Sequence, residues 1–455
     1  MVIRKTIVAV VAVGVLALGL QAQAQKNWKD RAEYDLYTEI TKDNVAPAGA
    51  AARLPLLEKW KASYPQSEYA DVRQKIYLVT YQQQNNHRAA FDLSNELLKA
   101  DPNDQTSLQE ILGYVRSLMP AQANAALSAQ NKADLESAEK SARYVLTNAD
   151  NVYGPAKKPQ GVDDATWAKT KPAMTNFSQA TLCYIGSAQK DTGKAEAECT
   201  KALQADPAST QSSTILASTL LSQQKDHPEK MPLALYQYAH LSAYDGPGAL
   251  DAAARKKLDT FFNDAYKQYH GSPQGADQVK MVAKTNPLPP ADWAGIKSTI
   301  DIMKEQQAAK DELAKENPSL GFWLEVKEGL TGDPAYWGAM KGAGLPPKEK
   351  VPSGKFTGKL ISATPETKPK ELKIAIEKPD VADVTLVLAE PLPGKMDPGG
   401  DISFFGEAQE FAEKPFMVTF KVDKEDIEGW TGKDAPGAPA RRPAGATKKG
   451  IAKKQ

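Results

Sequence analysis

The chain has 455 residues, 41% of them hydrophobic and 25% charged, with a formal net charge of +1 at pH 7. That length leaves room for two or three units with cores of their own, and the body between Gln25 and Thr431, mildly acidic once Arg4, Lys5 and the basic tail are set aside, argues against a nucleic-acid surface spread over the fold. Two cysteines, Cys183 and Cys199, are too few for a fold built on disulfides.

The chain opens with Arg4 and Lys5, an almost wholly apolar run over residues 6–20, and Ala22-Gln23-Ala24. That is the layout of a secretory signal peptide, residues 1–24, cut after Ala24. The run is short of the ~20 residues that span a bilayer, and no Cys near the cut offers a lipid anchor. The mature chain is expected to be exported, periplasmic or secreted, and not transmembrane.

From Trp28 to about Ala343 the composition favours Ala, Gln, Lys, Leu and Glu, all strong helix formers. Apolar residues recur at three- and four-residue spacing, as at Ile76, Val79 and Leu216, Leu220. Breaks fall at Pro65, Pro102, Gly154-Pro155, Pro207, Gly246-Pro247 and Gly271. The segment reads as a run of helices separated by turns.

Two stretches in it share an ending. "AAFDLSNELLKADP" closes at Pro102 and "AEAECTKALQADP" at Pro207, 105 residues apart, close to three units of ~34 residues. Counting back from each Pro aligns Tyr77 with Leu182, Tyr81 with Gly186, Ala90 with Ala195 and Leu97 with Ala202. Small residues such as Ala90 and Ala195 let two helices approach closely, and Asp-Pro stops the second helix. A third ending at Pro65 lies 37 residues before Pro102. In these residues the chain resembles the tetratricopeptide repeat (TPR) family. The resemblance implies a solenoid of helix–turn–helix units whose surface receives a protein or peptide, with Tyr77, Tyr81, Ala90, Leu97, Pro102, Leu182, Ala195, Ala202 and Pro207 in packing roles. It covers residues 25–245 in degenerate form, with longer connections near 119–130 and 153–171. Residues 246–345 read as a helical continuation or cap. In this frame Cys183 and Cys199 face each other across a helix pair, either as a disulfide or as two small buried side chains.

A cluster of aromatic residues follows: Phe322, Trp323, Tyr336 and Trp337. It is read either as a binding groove, which Trp and Tyr favour, or as the seam between helices and a following domain. After Pro346-Pro347 the pattern turns to strands. Residues 355–363, 371–377, 383–389, 401–409 and 416–422 alternate or are β-branched and aromatic, with Pro and Gly between them. Residues 353–431 are expected to form a small five-stranded β-barrel, similar to the OB type. Residues 432–455 hold seven Lys or Arg against a single Asp and little to bury; they read as a disordered basic tail.

No constellation for catalysis emerges. The four His have no partner at metal-ligand spacing, and no nucleophile elbow or phosphate loop is present. The sequence therefore points to an α+β multidomain protein: a TPR-like helical solenoid, an OB-like barrel and a tail. It is expected to be a non-enzymatic scaffold for protein–protein interaction in the cell envelope, without cofactor or metal, with no small-molecule substrate evident and with nucleic acid not expected. The alternative is binding of an envelope polymer, polysaccharide or nucleic acid, through the barrel and tail.

Overall fold

The computed structural model describes residues 26–42, 45–121 and 125–433. The expected signal peptide and the tail from residue 434 onward lie outside them. The chain divides into two compact units, Met1–Thr299 and Ile300–Gln455. No helix among the described residues is long and apolar enough to cross a membrane.

The first unit is helical. Its described helices are α1 (Arg31–Thr41), α2 (Ala50–Ser63), α3 (Ala70–Gln83), α4 (His87–Ala100), α5 (Gln105–Tyr114), α6 (Ala129–Tyr153), α7 (Asp164–Ala188), α8 (Thr192–Ala205), α9 (Thr210–Ser222), α10 (Met231–Ala243), α11 (Ala252–His270) and α12 (Ala276–Thr285). Polar caps start them. Asp30, Asn86, Asp104, Asp163, Asp191 and Ser209 each accept a hydrogen bond from the backbone N–H three residues on, satisfying a donor the first turn leaves unpaired. Most helices pack mainly on their neighbours in the chain, while α12 packs on α10. The core is accordingly a series of clusters: Leu57, Trp60 and Ile76, then Phe91, Ile111 and Leu182, then Cys183, Leu203 and Leu216, then Leu235, Phe262 and Ala283.

Within this series the 105-residue spacing holds down to backbone hydrogen bonds. The α3–α4 turn places Asn85 at φ 54° and the α7–α8 turn places Lys190 at φ 57°. Asn86 N–H donates to Tyr81 O, and Asp191 N–H to Gly186 O, at 2.9 and 3.0 Å. At the far ends Asp101 and Asp206 adopt φ −133° and −134°, each donating its N–H back to Leu97 O or Ala202 O. Tyr64, before Pro65, does the same with φ −134° and Trp60 O. Proline pushes the residue before it to extended geometry, so each ending is set by the pair.

The second unit carries α13 (Thr299–Glu316, whose first residue closes the first unit), α14 (Pro318–Gly332), α15 (Tyr336–Met340) and a sheet of eight strands. The helices of 300–340, read from sequence as part of the helical continuation, thus belong with the sheet. The physical reason is Trp323: it is fully buried in the same core as Phe356, Phe404 and Phe420.

The strands are β1 (Gly344–Leu345), β2 (Phe356–Thr364), β3 (Glu371–Ala375), β4 (Val384–Leu388), β5 (Asp401–Phe404), β6 (Gly406–Glu413), β7 (Phe416–Val422) and β8 (Ile427–Glu428), in the order β1-β6-β7-β4-β3-β2-β5-β8. All pairs are antiparallel except β4 with β7. Five strands were expected and eight are present. The fourth expected strand divides at Phe405: β5 pairs with β2, and β6 pairs with β7. The sheet is mixed and curled, and its pairings return on themselves through that one residue. A side chain on Gly406 would lie 2.8 Å from Lys421 O, so the backbones there meet closely. Lys433, in the expected tail, is held: Lys395 N–H donates to its carbonyl oxygen, and its side chain pairs with Asp397.

Candidate functional site

The residues singled out in the helical segment are mostly packing residues. Ala90, Leu182, Ala195 and Ala202 are almost fully buried, and Tyr77 and Leu97 nearly so. Gly186 faces Ala195 so closely that a Cβ on it would stand 2.6 Å from Ala195 N. Pro102 and Pro207 follow the two extended caps described above. Cys183 and Cys199 are bridged, with both side chains fully buried. The same positions one register earlier are Leu78 and Ser94, buried without a bridge.

The aromatic cluster is also internal. Trp323 donates its indole N–H to Asp383 Oδ2 at 3.0 Å. Asp383, 4% exposed, takes two further donors, Ile376 N–H at 2.9 Å and Glu377 N–H at 3.2 Å. Phe322 stacks on Phe356, Trp337 meets Phe411, and Tyr336 packs on the same core, all three partly buried. Of the two sequence readings, a groove or a seam, these contacts describe a seam, one that lies within the second unit between α14–α15 and the sheet.

Tyr81 is different, being half-buried at the wall of a pocket of about 350 Å³ between α2, α3 and α4. Glu58 and Lys61 form its α2 lip, Tyr77 and Tyr81 its floor on α3, and Leu93 a wall on α4. Arg73 closes one end, donating to the Trp60 and Tyr64 carbonyls that end α2 and lying over the Trp60 ring. Burial first, and the nearby Glu58 charge second, push the Tyr81 phenol above its usual range. Tyr77 is raised further, by burial first and by the Glu58 carboxylate as hydrogen-bond partner second. No family model matches the chain. No curated protein matches it either. What this surface does must be argued from its own groups.

A second pocket, about 300 Å³, sits between α8, α9 and α10, with Leu288 and Pro289 also on its wall. Glu196 and Thr200 line it from α8, Leu216 and Leu220 from α9, Leu233 and Gln237 from α10. Its carboxylate is already met: Lys230 Nζ lies 2.6 Å from Glu196 Oε2. Both pockets are clefts between helices rather than enclosed chambers with converging acid and base. Among the described residues no group of three or more His, Cys, Asp and Glu is placed to hold a metal ion. The histidines serve packing and turns: His240 is buried, donating from Nδ1 to Ala283 O at 2.6 Å, with burial lowering its proton affinity. His270 meets Lys297 O, His87 stacks on Tyr114 and His227 pairs with Glu229.

Sequence reasoning passed over Glu58, Lys61 and Arg73, because charges on a helix usually mark a solvated face. It also passed over Glu110 on α5, which is 1% exposed and accepts one hydrogen bond, from Gln82 Nε2 at 2.8 Å. Its other oxygen has no partner among the described residues, and burial pushes the carboxyl up to about 7. The only signal was its i+28 relation to Gln82, which no local pattern reveals.

Proposed function

We propose that the protein is an exported, non-enzymatic scaffold of TPR-like helix pairs that receives a protein or peptide partner in the cell envelope, with an OB-like second unit and a basic tail. The observation that carries this reading is the repeat register. Turn, cap and ending recur at a spacing of 105 residues with the same backbone hydrogen bonds, and most helices pack chiefly on their chain neighbours. Arrays of that kind expose long surfaces with clefts between units, and partners are held there by shape and scattered polar contacts. The two pockets fall in such clefts. For the second unit, counting β5 and β6 as one bent strand gives five principal strands, with the third and last parallel, which supports the OB-like reading.

The alternative, an envelope polymer bound by the second unit, draws on the fold's use elsewhere and on the basic tail. Phe356, Phe404 and Phe420 point into the core, so the aromatic rings of this sheet build its interior instead of a platform on which bases or sugars stack.

A photo-crosslinking amino acid at Leu233, on the lip of the second pocket, tests the scaffold reading in the intact protein expressed in its own envelope. Val387, 42% exposed on β4, serves as the comparison. Discrete polypeptide adducts at Leu233 are expected. Adducts confined to Val387, or carried by polysaccharide or nucleic acid, would favour the alternative. Mass measurement of the exported chain tests cleavage after Ala24, with Gln25 as the expected first residue.

A further inference from the structure

Residues 26–29, just ahead of α1, form a strap tied to the fold at every step. Lys26 pairs with Asp71 at 2.6 Å, and its carbonyl oxygen accepts from the Tyr69 hydroxyl at 2.9 Å. Asn27 N–H donates to Glu68 Oε2 at 2.7 Å. The Trp28 ring stacks on Tyr69, centroids 3.7 Å apart, and meets Tyr37 and Trp60 at 4.9 and 6.1 Å. Lys29 N–H donates to Glu33 Oε2 at 2.8 Å, and the other oxygen of that buried carboxylate takes the Trp60 indole N–H. The partners lie on α1, on α2 and around the start of α3, as far as 45 residues along the chain. The strap therefore seats only when the first three helices have come together.

The expected cut follows Ala24, and only Gln25 separates it from Lys26. Two residues of chain reach about 7 Å at most, so the bond stands no further than that from the anchored segment. A peptidase needs a stretch of chain it can draw into its own cleft, and when that stretch is held in a fold the rate follows how often it is released. Release here means parting Trp28 from its ring neighbours and breaking three hydrogen bonds to the strap backbone and one ion pair. We propose that removal of the signal peptide comes before the first unit folds: the unfolded chain offers the bond, and the seated strap withdraws it. This rests on the reading of residues 1–24 as a signal peptide and adds an order to it, cut first and fold second. A precursor that folds early becomes a poor substrate and stays joined to its apolar leader.

The test uses the full-length precursor, folded in detergent micelles, and purified signal peptidase. One variant carries a flexible insert of about eight Gly and Ser residues between Gln25 and Lys26, which leaves the strap seated and moves the bond clear of it. A second, Trp28→Ala, loosens the strap. Thermal unfolding is compared first; the insert precedes Lys26 and should leave it unchanged, and it decides alone if Trp28→Ala fails to fold. The folded parent is expected to be cut about tenfold or more slowly than the insert variant, with Trp28→Ala between them. Equal rates for the parent and the insert variant would overturn the proposal. If the insert variant is not cut after Ala24 either, the signal-peptide reading fails and the inference with it. The scaffold reading is decided separately by the crosslink at Leu233.

Discussion

Lys190 stands 105 residues after Asn85, and the two share the same left-handed backbone, φ 57° and 54°, at the same step of a helix–turn–helix. Asn tolerates that conformation well; Lys does so less readily. Both side chains are exposed, so backbone geometry alone separates them. Lys190→Gly is expected to raise stability by about 0.5–1 kcal/mol, and Asn85→Gly by less. Lys190→Val should lower it by about 1–2 kcal/mol, since a β-branched residue fits the left-handed region worst. Urea unfolding of the three variants against the parent checks the order, and a stable Val variant would contradict it.

The approach of α7 to α8 depends on Gly186. In most helix interiors Gly→Ala stabilises by about 1 kcal/mol. Here the new Cβ would stand 2.6 Å from Ala195 N and 2.8 Å from its Cα, backbone atoms that cannot turn aside. Gly186→Ala should therefore destabilise by about 1–3 kcal/mol. Gly193→Ala in the first turn of α8, where a Cβ would meet only the Asp191 side chain at 3.7 Å, is the control and should not.

Glu110 gives the first unit a pH dependence. At low pH its carboxyl is protonated in both folded and unfolded chains. As pH rises past about 4.5 the unfolded chain releases the proton while the folded one holds it until about 7. The folded state therefore loses stability across that window and levels off above it, by up to about 3 kcal/mol in all. Glu110→Gln, which keeps the shape and the contact with Gln82, should be the more stable protein at about pH 8 and close to the parent at about pH 4.5. Denaturant midpoints at the two pH values decide it; equal slopes for parent and variant would assign the dependence elsewhere.

Asp383 collects three donors in the second unit, and removing it strands all three. Asp383→Ala should cost about 2–4 kcal/mol. Asp383→Asn turns an amide group toward one of those donors and should cost less, though still measurably. Trp323 reports the event directly, since its indole N–H loses its acceptor. A red shift of its emission at temperatures where the parent is unchanged is the expected sign, followed by calorimetry.

Much of this architecture is legible in the chain. Pro65, Pro102 and Pro207 mark helix endings that share one geometry, and the alternation within 355–422 marks strands. The readings fail where the deciding partner is distant. Residues 401–409 alternate without a break, so nothing local reveals that β2 takes one half and β7 the other. β1 and β8 have two residues each, too few to show a period. Helix-forming composition resumes over 299–316 after the prolines at 287, 289 and 290, so the division between units reads as one more turn in the helical run; it is Trp323, sixty residues before its acceptor Asp383, that ties α14 to the sheet. The pocket was half visible: Tyr77 and Tyr81 stand out as a pair, but Glu58 becomes their companion only when α2 is laid against α3.

Phe405 carries a consequence for how this chain tolerates change. Inward and outward positions keep alternating across it: Ile402, Phe404, Gly406 and Ala408 are buried, while Asp401 and Glu407 are exposed. The two halves of the bent strand therefore share one parity. Deleting or adding a single residue there would leave each half with its partner yet turn one of them inside out, driving Asp401 or Glu407 into the core. Length variation at this corner is confined to even steps, and among insertions of one to four residues at 403–407 those of two and four should survive while those of one and three fail.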